Sequence, residues 1–270
     1  MSQTTAARTE RLERDCGIVF NDPGEVIQAY TFDELLDLEQ VRSFLTLYAG
    51  LIKATELSPA ATYFVSYLRG LTTAVQSLMS LENAAMDWSL SNWSLLLVAK
   101  DGYTNLKFRP VNSEITDAAP NNRDEWRNRI LADFYGKTIQ PLIRTLAQEA
   151  NLSQNQLWAT MPTSLYYYKE SVITRAEVDS PVYKQIISDY EYLVNEMDGN
   201  VFGLTRNPLK VKIKMVDNPY NPGEQMPLKS SCCLAYLTEG RNYCYTCPKM
   251  TKTERAEKYE AIRAISTANT

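Results

Sequence analysis

The sequence predicts an α+β fold, predominantly helical, with a small antiparallel sheet and a distinct cysteine-bearing C-terminal segment. Apolar residues recur at three- and four-residue spacing along most of the chain, the period of amphipathic helices. Alternation with period two is confined to the stretches around Trp93 to Arg109 and Leu209 to Val216, too little for more than a small sheet. Four of the five cysteines fall between Cys232 and Cys247. No internal repeat, low-complexity tract or linker forces a domain boundary.

Residues 1–30 lack a clear period and hold the turn signal Asn21-Asp22-Pro23-Gly24, which reads as an arm or an edge element. Cys16, within it, is expected to be a small residue packed against the body, since nothing nearby would lower its pKa. Thr31-Phe32-Asp33-Glu34 fits a capping box, and Leu35, Leu38, Val41, Leu45, Tyr48 and Ile52 share one face, predicting a helix over about 32–54. Ser58-Pro59 opens a second helix, carried on by the apolar pattern from Tyr63 through Leu81, and the two should form an antiparallel pair.

The period changes at Met86. Asp87 to Ser91 alternates, Trp93 to Ala99 is a buried-looking run, Lys100-Asp101-Gly102 turns the chain, and Tyr103 to Arg109 alternates again. This predicts a small antiparallel sheet. Lys107 and Arg109 share a parity with Tyr103 and Asn105, either as a solvent face or as a face that meets an anionic ligand. Asp117 to Asn122 reads as a loop containing Pro120. A long helix is expected over about 123–151, kinked or split by Gly136 and Pro141. Ser153-x-x-Gln156 opens another that runs through Trp158 to Tyr168, and Ser180-Pro181 opens the next, which stops at Gly199.

Leu209 to Val216 alternates strictly, with Val211, Ile213 and Met215 on one face and Lys210, Lys212 and Lys214 on the other. The bland reading is an exposed strand whose lysines discourage edge pairing. The functional one is a basic face near the cysteines that attracts an anion. Asp217 to Gln225 is a turn-rich loop, and Thr251-x-x-Glu254 opens a final, mostly charged helix whose positive end lies near Cys247.

Composition narrows the chemistry. The chain has 270 residues, a net charge of −4 and no histidine. The charge argues against a nucleic-acid partner. The missing histidine excludes Ser-His-Asp and Cys-His mechanisms, His-ligated haem, Rieske clusters and the usual catalytic zinc sites. Met1 to Arg14 is polar with no signal-peptide core, and Leu95 to Ala99 is far short of the roughly 20 apolar residues of a membrane helix. A cytoplasmic location is expected, with peripheral association at the inner face of the membrane left open.

The cysteines form a C-C-x10-C-x2-C pattern. Disulfides are disfavoured in a cytosolic protein. Cys-x-x-Cys suits zinc or iron, and four cysteines are the usual complement of a [2Fe–2S] cluster. The adjacent pair Cys232-Cys233 tilts the balance from zinc, because consecutive side chains diverge and a two-iron cluster spreads its metals over a larger body.

Cys-Cys-Leu-x-Tyr at 232–236, Gly240 and Cys-x-Thr-Cys-Pro at 244–248 resemble the C-terminal signature of the FhuF-type ferric-siderophore reductases. Leu157-Trp158 resembles an upstream element of that family, with Ala159-Thr160 standing where Gly-Asn is expected. The resemblance implies that Cys232, Cys233, Cys244 and Cys247 ligate a [2Fe–2S] cluster and that the protein is an iron–sulfur oxidoreductase. It implies one-electron reduction of a ferric siderophore, releasing Fe(II), with a low-potential electron donor as partner. On this reading residues 1–205 are a body with a siderophore-facing surface and residues 206–270 the cluster-binding segment. Lys210, Lys212, Lys214, Arg241 and Arg109 are the candidates for holding the chelate. The Tyr245 and Thr246 amides and the Thr246 hydroxyl are candidate donors to sulfur. Tyr236, Tyr243 and Tyr245 either line the approach or pack. The alternatives are a binding or assembly protein without redox activity, stapled by a zinc ion on all four cysteines, and a siderophore-biosynthesis relative, for which four clustered thiols have no use.

Overall fold

The computed structural model describes residues 5–117 and 121–268. In chain order its elements begin with α1 (Thr5–Cys16), β1 (Val26–Thr31), α2 (Leu38–Leu51), α3 (Ser58–Tyr67), α4 (Arg69–Glu82), β2 (Ala84–Ala85), β3 (Trp93–Lys100), β4 (Tyr103–Pro110) and β5 (Thr116–Asp117). They continue with α5 (Arg123–Asp133), α6 (Gln140–Glu149), α7 (Gln154–Trp158), α8 (Pro162–Ile173), α9 (Pro181–Glu191), β6 (Met215–Asp217), β7 (Gln225–Pro227) and α10 (Lys252–Ala268). This is the expected α+β architecture, mostly helical with small antiparallel sheets.

The hairpin follows from its turn. Asp101 and Gly102 have φ of 50° and 79°, and a two-residue turn with both positive matches the right-handed twist of the strands it joins. β3 and β4 pair antiparallel from Lys100↔Tyr103 to Trp93↔Pro110. The alternation over Asp87 to Ser91 is not a strand. The Asp87 carbonyl accepts from Asn92 Nδ2 (2.8 Å) and Trp93 Nε1 (3.0 Å), curling the segment so that Trp88 stacks on Trp93.

The N-terminal stretch is more ordered than an arm. Residues 1–4 lie outside the description, but α1 buries Leu12 and Cys16, and its Arg8 and Arg11 pair with Glu82 of α4. At Gly70 a Cβ would overlap the Cys16 carbonyl oxygen, so a glycine is needed where α1 ends against α4. The expected edge element is β1, hydrogen-bonded to β3 at the rim of the sheet order β1-β3-β4.

Where helices were expected, caps and prolines set the boundaries. The Thr31–Glu34 box forms, with Thr31 N donating to Glu34 Oε2 (2.7 Å) and Glu34 N to Thr31 Oγ1 (3.1 Å). It heads only the single turn Glu34–Leu36, because Asp37 is extended (ψ 133°) and caps α2 afresh through the amides of Glu39 and Gln40. Leu38 is therefore exposed. The helix expected over 123–151 passes through a π-helical turn, Phe134–Ile139, which holds Gly136 against Val201. Of the loop expected at Asp117 to Asn122, residues 118–120 lie outside the description. Pro162 restarts the chain as α8, so the helix opened by Ser153 ends at Trp158. α9 runs into a π-helical turn, Tyr192–Glu196, and stops short of Gly199.

One aromatic core runs through the body. Trp158 meets Phe202 at 5.1 Å, edge to face, and donates its Nε1 hydrogen to the Phe202 carbonyl (3.1 Å), while Tyr135 packs on both. The Leu157-Trp158 element thus sits at the centre of the fold, fully buried.

The strand expected over Leu209 to Val216 is mostly irregular. Only Met215–Asp217 pairs, with Gln225–Pro227, and Val211 and Met215 are exposed along with Lys210, Lys212 and Lys214. With no sheet to lie on, the alternation has no buried side. Among the described residues no helix is long and apolar enough to cross a membrane.

Candidate metal centre

β7 delivers the chain to the cysteines, with Leu228 N donating to the Lys214 carbonyl (2.8 Å) and Lys229 N to that of Thr246 (3.1 Å). Two left-handed residues then shape the segment. Leu234 (φ 57°) turns it sharply after the adjacent cysteines, and Gly240 (φ 70°) reverses it towards Cys244. Cys247 N closes onto the Cys244 carbonyl at 2.9 Å, bringing both members of Cys-x-x-Cys to one side.

Consecutive cysteines diverge, and the result is two sulfur pairs. The inner pair is Cys232 and Cys247, 7% and 2% exposed, with their sulfurs 3.5 Å apart. The outer pair is Cys233 and Cys244, both half-buried and close enough for each to shift the other's titration. Two thiolates on one tetrahedral metal, at bonds of about 2.3 Å, lie roughly 3.8 Å apart, so the inner pair is already near the spacing of ligands to one ion. Among the described residues no three Cys, Asp or Glu side chains converge on a single point. Four sulfurs disposed two and two fit a two-iron cluster better than one zinc ion.

The surroundings favour anionic sulfur at Cys233 of the outer pair. Hydrogen bonding from Cys244 draws the Cys233 thiol down to about 5, against the effect of burial and assisted by the Lys229 ammonium, 3.7 Å from its sulfur. Cys244, the donor, is pushed up. Burial raises Cys232 to about 11. Burial also opposes the charge of Lys229, but the neighbouring sulfurs outweigh it and raise its pKa. Thr246 Oγ1 lies 3.9 Å from Cys244 Sγ, as a sulfur-directed hydroxyl.

The segment docks on the body through its backbone. The Cys233 carbonyl accepts from Thr62 Oγ1 of α3 (2.8 Å), Thr55 N donates to the Leu237 carbonyl (2.9 Å), and Glu239 N donates to that of Lys53 (2.9 Å). From the other side α10, opened by the Thr251–Glu254 capping box, sends Arg255 to the carbonyls of Tyr245, Cys247 and Met250.

The outer sulfurs open onto a cleft of about 890 Å³ between this segment, α3 and the β3–β4 turn. Tyr63, Arg69, Tyr103, Lys229 and Arg241 line it. Of the chelate-binding candidates, the structure brings Arg241 to this cleft. Lys210, Lys212 and Lys214 stand in solvent outside its lining, and Arg109 reaches the Asn21 carbonyl (3.4 Å). Tyr236 packs against Tyr243 at 4.8 Å, and the Tyr245 hydroxyl donates to the Asp217 carbonyl (2.7 Å), so none of the three lines this opening. Lys229 was legible only as a cation beside Cys232. Arg69 and Tyr63 gave no signal, because they reach the site from α3 and α4.

Residues 230–249 match the family model of the FhuF 2Fe-2S C-terminal domain. No curated protein matches the chain. The match covers the docked, doubly paired cysteines described above, so the C-terminal segment fits the FhuF 2Fe-2S family and its cofactor is a [2Fe–2S] cluster.

Proposed function

We propose that the protein is a ferric-siderophore reductase, in which Cys232, Cys233, Cys244 and Cys247 hold the cluster and the chelate binds in the cleft beside Cys233 and Cys244. The observation that carries this reading is the opening of one sulfur pair, and not the other, onto a cleft of chelate size whose lining sets Lys53, Arg69, Lys229 and Arg241 against the two carboxylates Asp101 and Glu239. When bound, the cluster supplies one electron at a potential set by charge, exposure and hydrogen bonds to sulfur.

The chain's own residues do the rest. Lys229 holds a positive charge against the outer sulfurs, and Thr246 offers them a hydroxyl. Arg69 and Arg241 attract an anionic chelate, while Tyr63 and Tyr103 shape the approach. No acid or base is required at the iron. Hard oxygen donors hold Fe(III) far more tightly than Fe(II), so one electron from a low-potential donor loosens the complex and Fe(II) leaves. Nothing in this step needs export, and the reading places the protein in the cytoplasm.

The test is a protein purified without oxygen and assayed for iron, acid-labile sulfide, zinc and visible absorption. It is then mixed with a reductant, a ferric siderophore and an Fe(II)-trapping dye. Two irons and two sulfides per chain, with reduction abolished together with the colour in Cys244→Ser, support the proposal. A colourless protein with one zinc, or undiminished reduction in Cys244→Ser, overturns it.

A further inference from the structure

We propose that the substrate is a polyanionic, carboxylate-bearing ferric chelate whose acidic periphery occupies a second cleft, adjoining the first, among Arg69, Lys107 and Arg175. This rests on the reductase reading above and adds the chemical class of the substrate.

The second cleft, about 740 Å³, lies between the end of α1, α4, β4 and α8. It adjoins the cleft at Cys233 and Cys244, with Tyr67, Arg69 and Asn105 in both linings, so a ligand that extends past these three residues meets both. Its cations divide sharply by partner. Arg11 is paired with Glu82 and Arg14 with Asp15, the one carboxylate in the lining. Arg69, Lys107 and Arg175 make no ion pair with any carboxylate of the described residues. Three unmatched positive charges in one concavity run against a chain whose net charge is −4.

A concave wall of one sign concentrates its field on whatever enters. Arginine's planar fork suits carboxylate geometry, and the exposed Tyr167 and Ser171 hydroxyls add neutral donors on the same wall. A neutral tris-hydroxamate would leave these cations unmatched. A chelate with peripheral carboxylates would satisfy them while its metal end sits at the outer sulfurs.

The experiment titrates the cluster-loaded protein with redox-inert gallium(III) complexes, the polyanionic dicitrate and a neutral tris-hydroxamate, at low and high salt. Dicitrate should bind at least tenfold more tightly than the neutral complex at low salt and lose that advantage at high salt. Arg175→Glu and Lys107→Glu should each weaken dicitrate roughly tenfold, with the visible spectrum unchanged. Equal or tighter binding of the neutral complex, or dicitrate binding indifferent to both reversals, overturns the inference. If the matching Fe(III) complexes are still reduced in that case, the reductase reading stands without it. Binding of neither gallium complex, with no reduction of either Fe(III) complex, overturns both.

Discussion

The body buries Trp158, Tyr135, Phe202, Phe134 and Trp93 in one continuous apolar core, whereas the cysteine segment buries little beyond Cys232, Leu234 and Cys247. Ordering a residue costs about 1–2 kcal/mol of backbone entropy, which the body offsets by removing apolar surface from water. The segment has too little surface of that kind. It is held by backbone hydrogen bonds to α3, to the Lys53–Thr55 turn and to α10, and by whatever its sulfurs ligate.

The sharpest way to break this contrast is to strip the cluster with acid and a chelator. Amide hydrogen exchange in residues 230–249 should then rise by orders of magnitude, while β3, β4 and α6 keep their protection. Melting of the body alongside would show that the two regions share one cooperative unit. Trp158→Ala should act the opposite way, costing the body about 3–5 kcal/mol in denaturant titration whether or not the cluster is present. Gly70→Ala, which drives a methyl into the Cys16 carbonyl, should cost about 1–3 kcal/mol and free α1 first, seen as early exchange in residues 5–16.

A smaller effect is expected at the joint. Thr62→Val removes the hydrogen bond to the Cys233 carbonyl, worth about 1 kcal/mol. It should speed cluster loss several-fold, followed by bleaching, while leaving the body's melting temperature nearly unchanged. Smallest of all is the response of Cys16. Burial lifts its thiol to about 12, so below that pH it stays protonated. Mass spectrometry after iodoacetamide at pH 8 should find it unmodified in folded protein, before and after stripping, while the four other cysteines react once stripped.

The same contrast explains what the sequence could reveal. The cysteine segment is legible because cysteines, glycine and turn residues stand at set spacings there, and the hairpin because Asp101-Gly102 admits few backbones. Local caps at Thr31, Ser153 and Ser180 also form as read. What escaped was decided by tertiary contacts. β1 shows no alternation because only Tyr30 of its residues is buried. Asp37 reopens a helix that its apolar spacing would have continued, and the lysine alternation over 210–214 precedes a strand that begins to pair only at Met215. The unpaired cations of the two clefts come from α4, β4, the turn after α8 and the tail, four places with no common sequence signal.

The tip of the β3–β4 hairpin forms part of the rim of the cleft at the outer sulfurs, with Tyr103 73% exposed. It is carried by β3 and β4 and holds no cysteine. One part of the cleft's rim is thus built by the cysteine segment and another by a hairpin tip that stands in solvent. Lengthening or regrafting that two-residue turn would reshape the mouth of the cleft while leaving the four cysteines in place, which makes the hairpin tip the natural place to alter what the cleft admits.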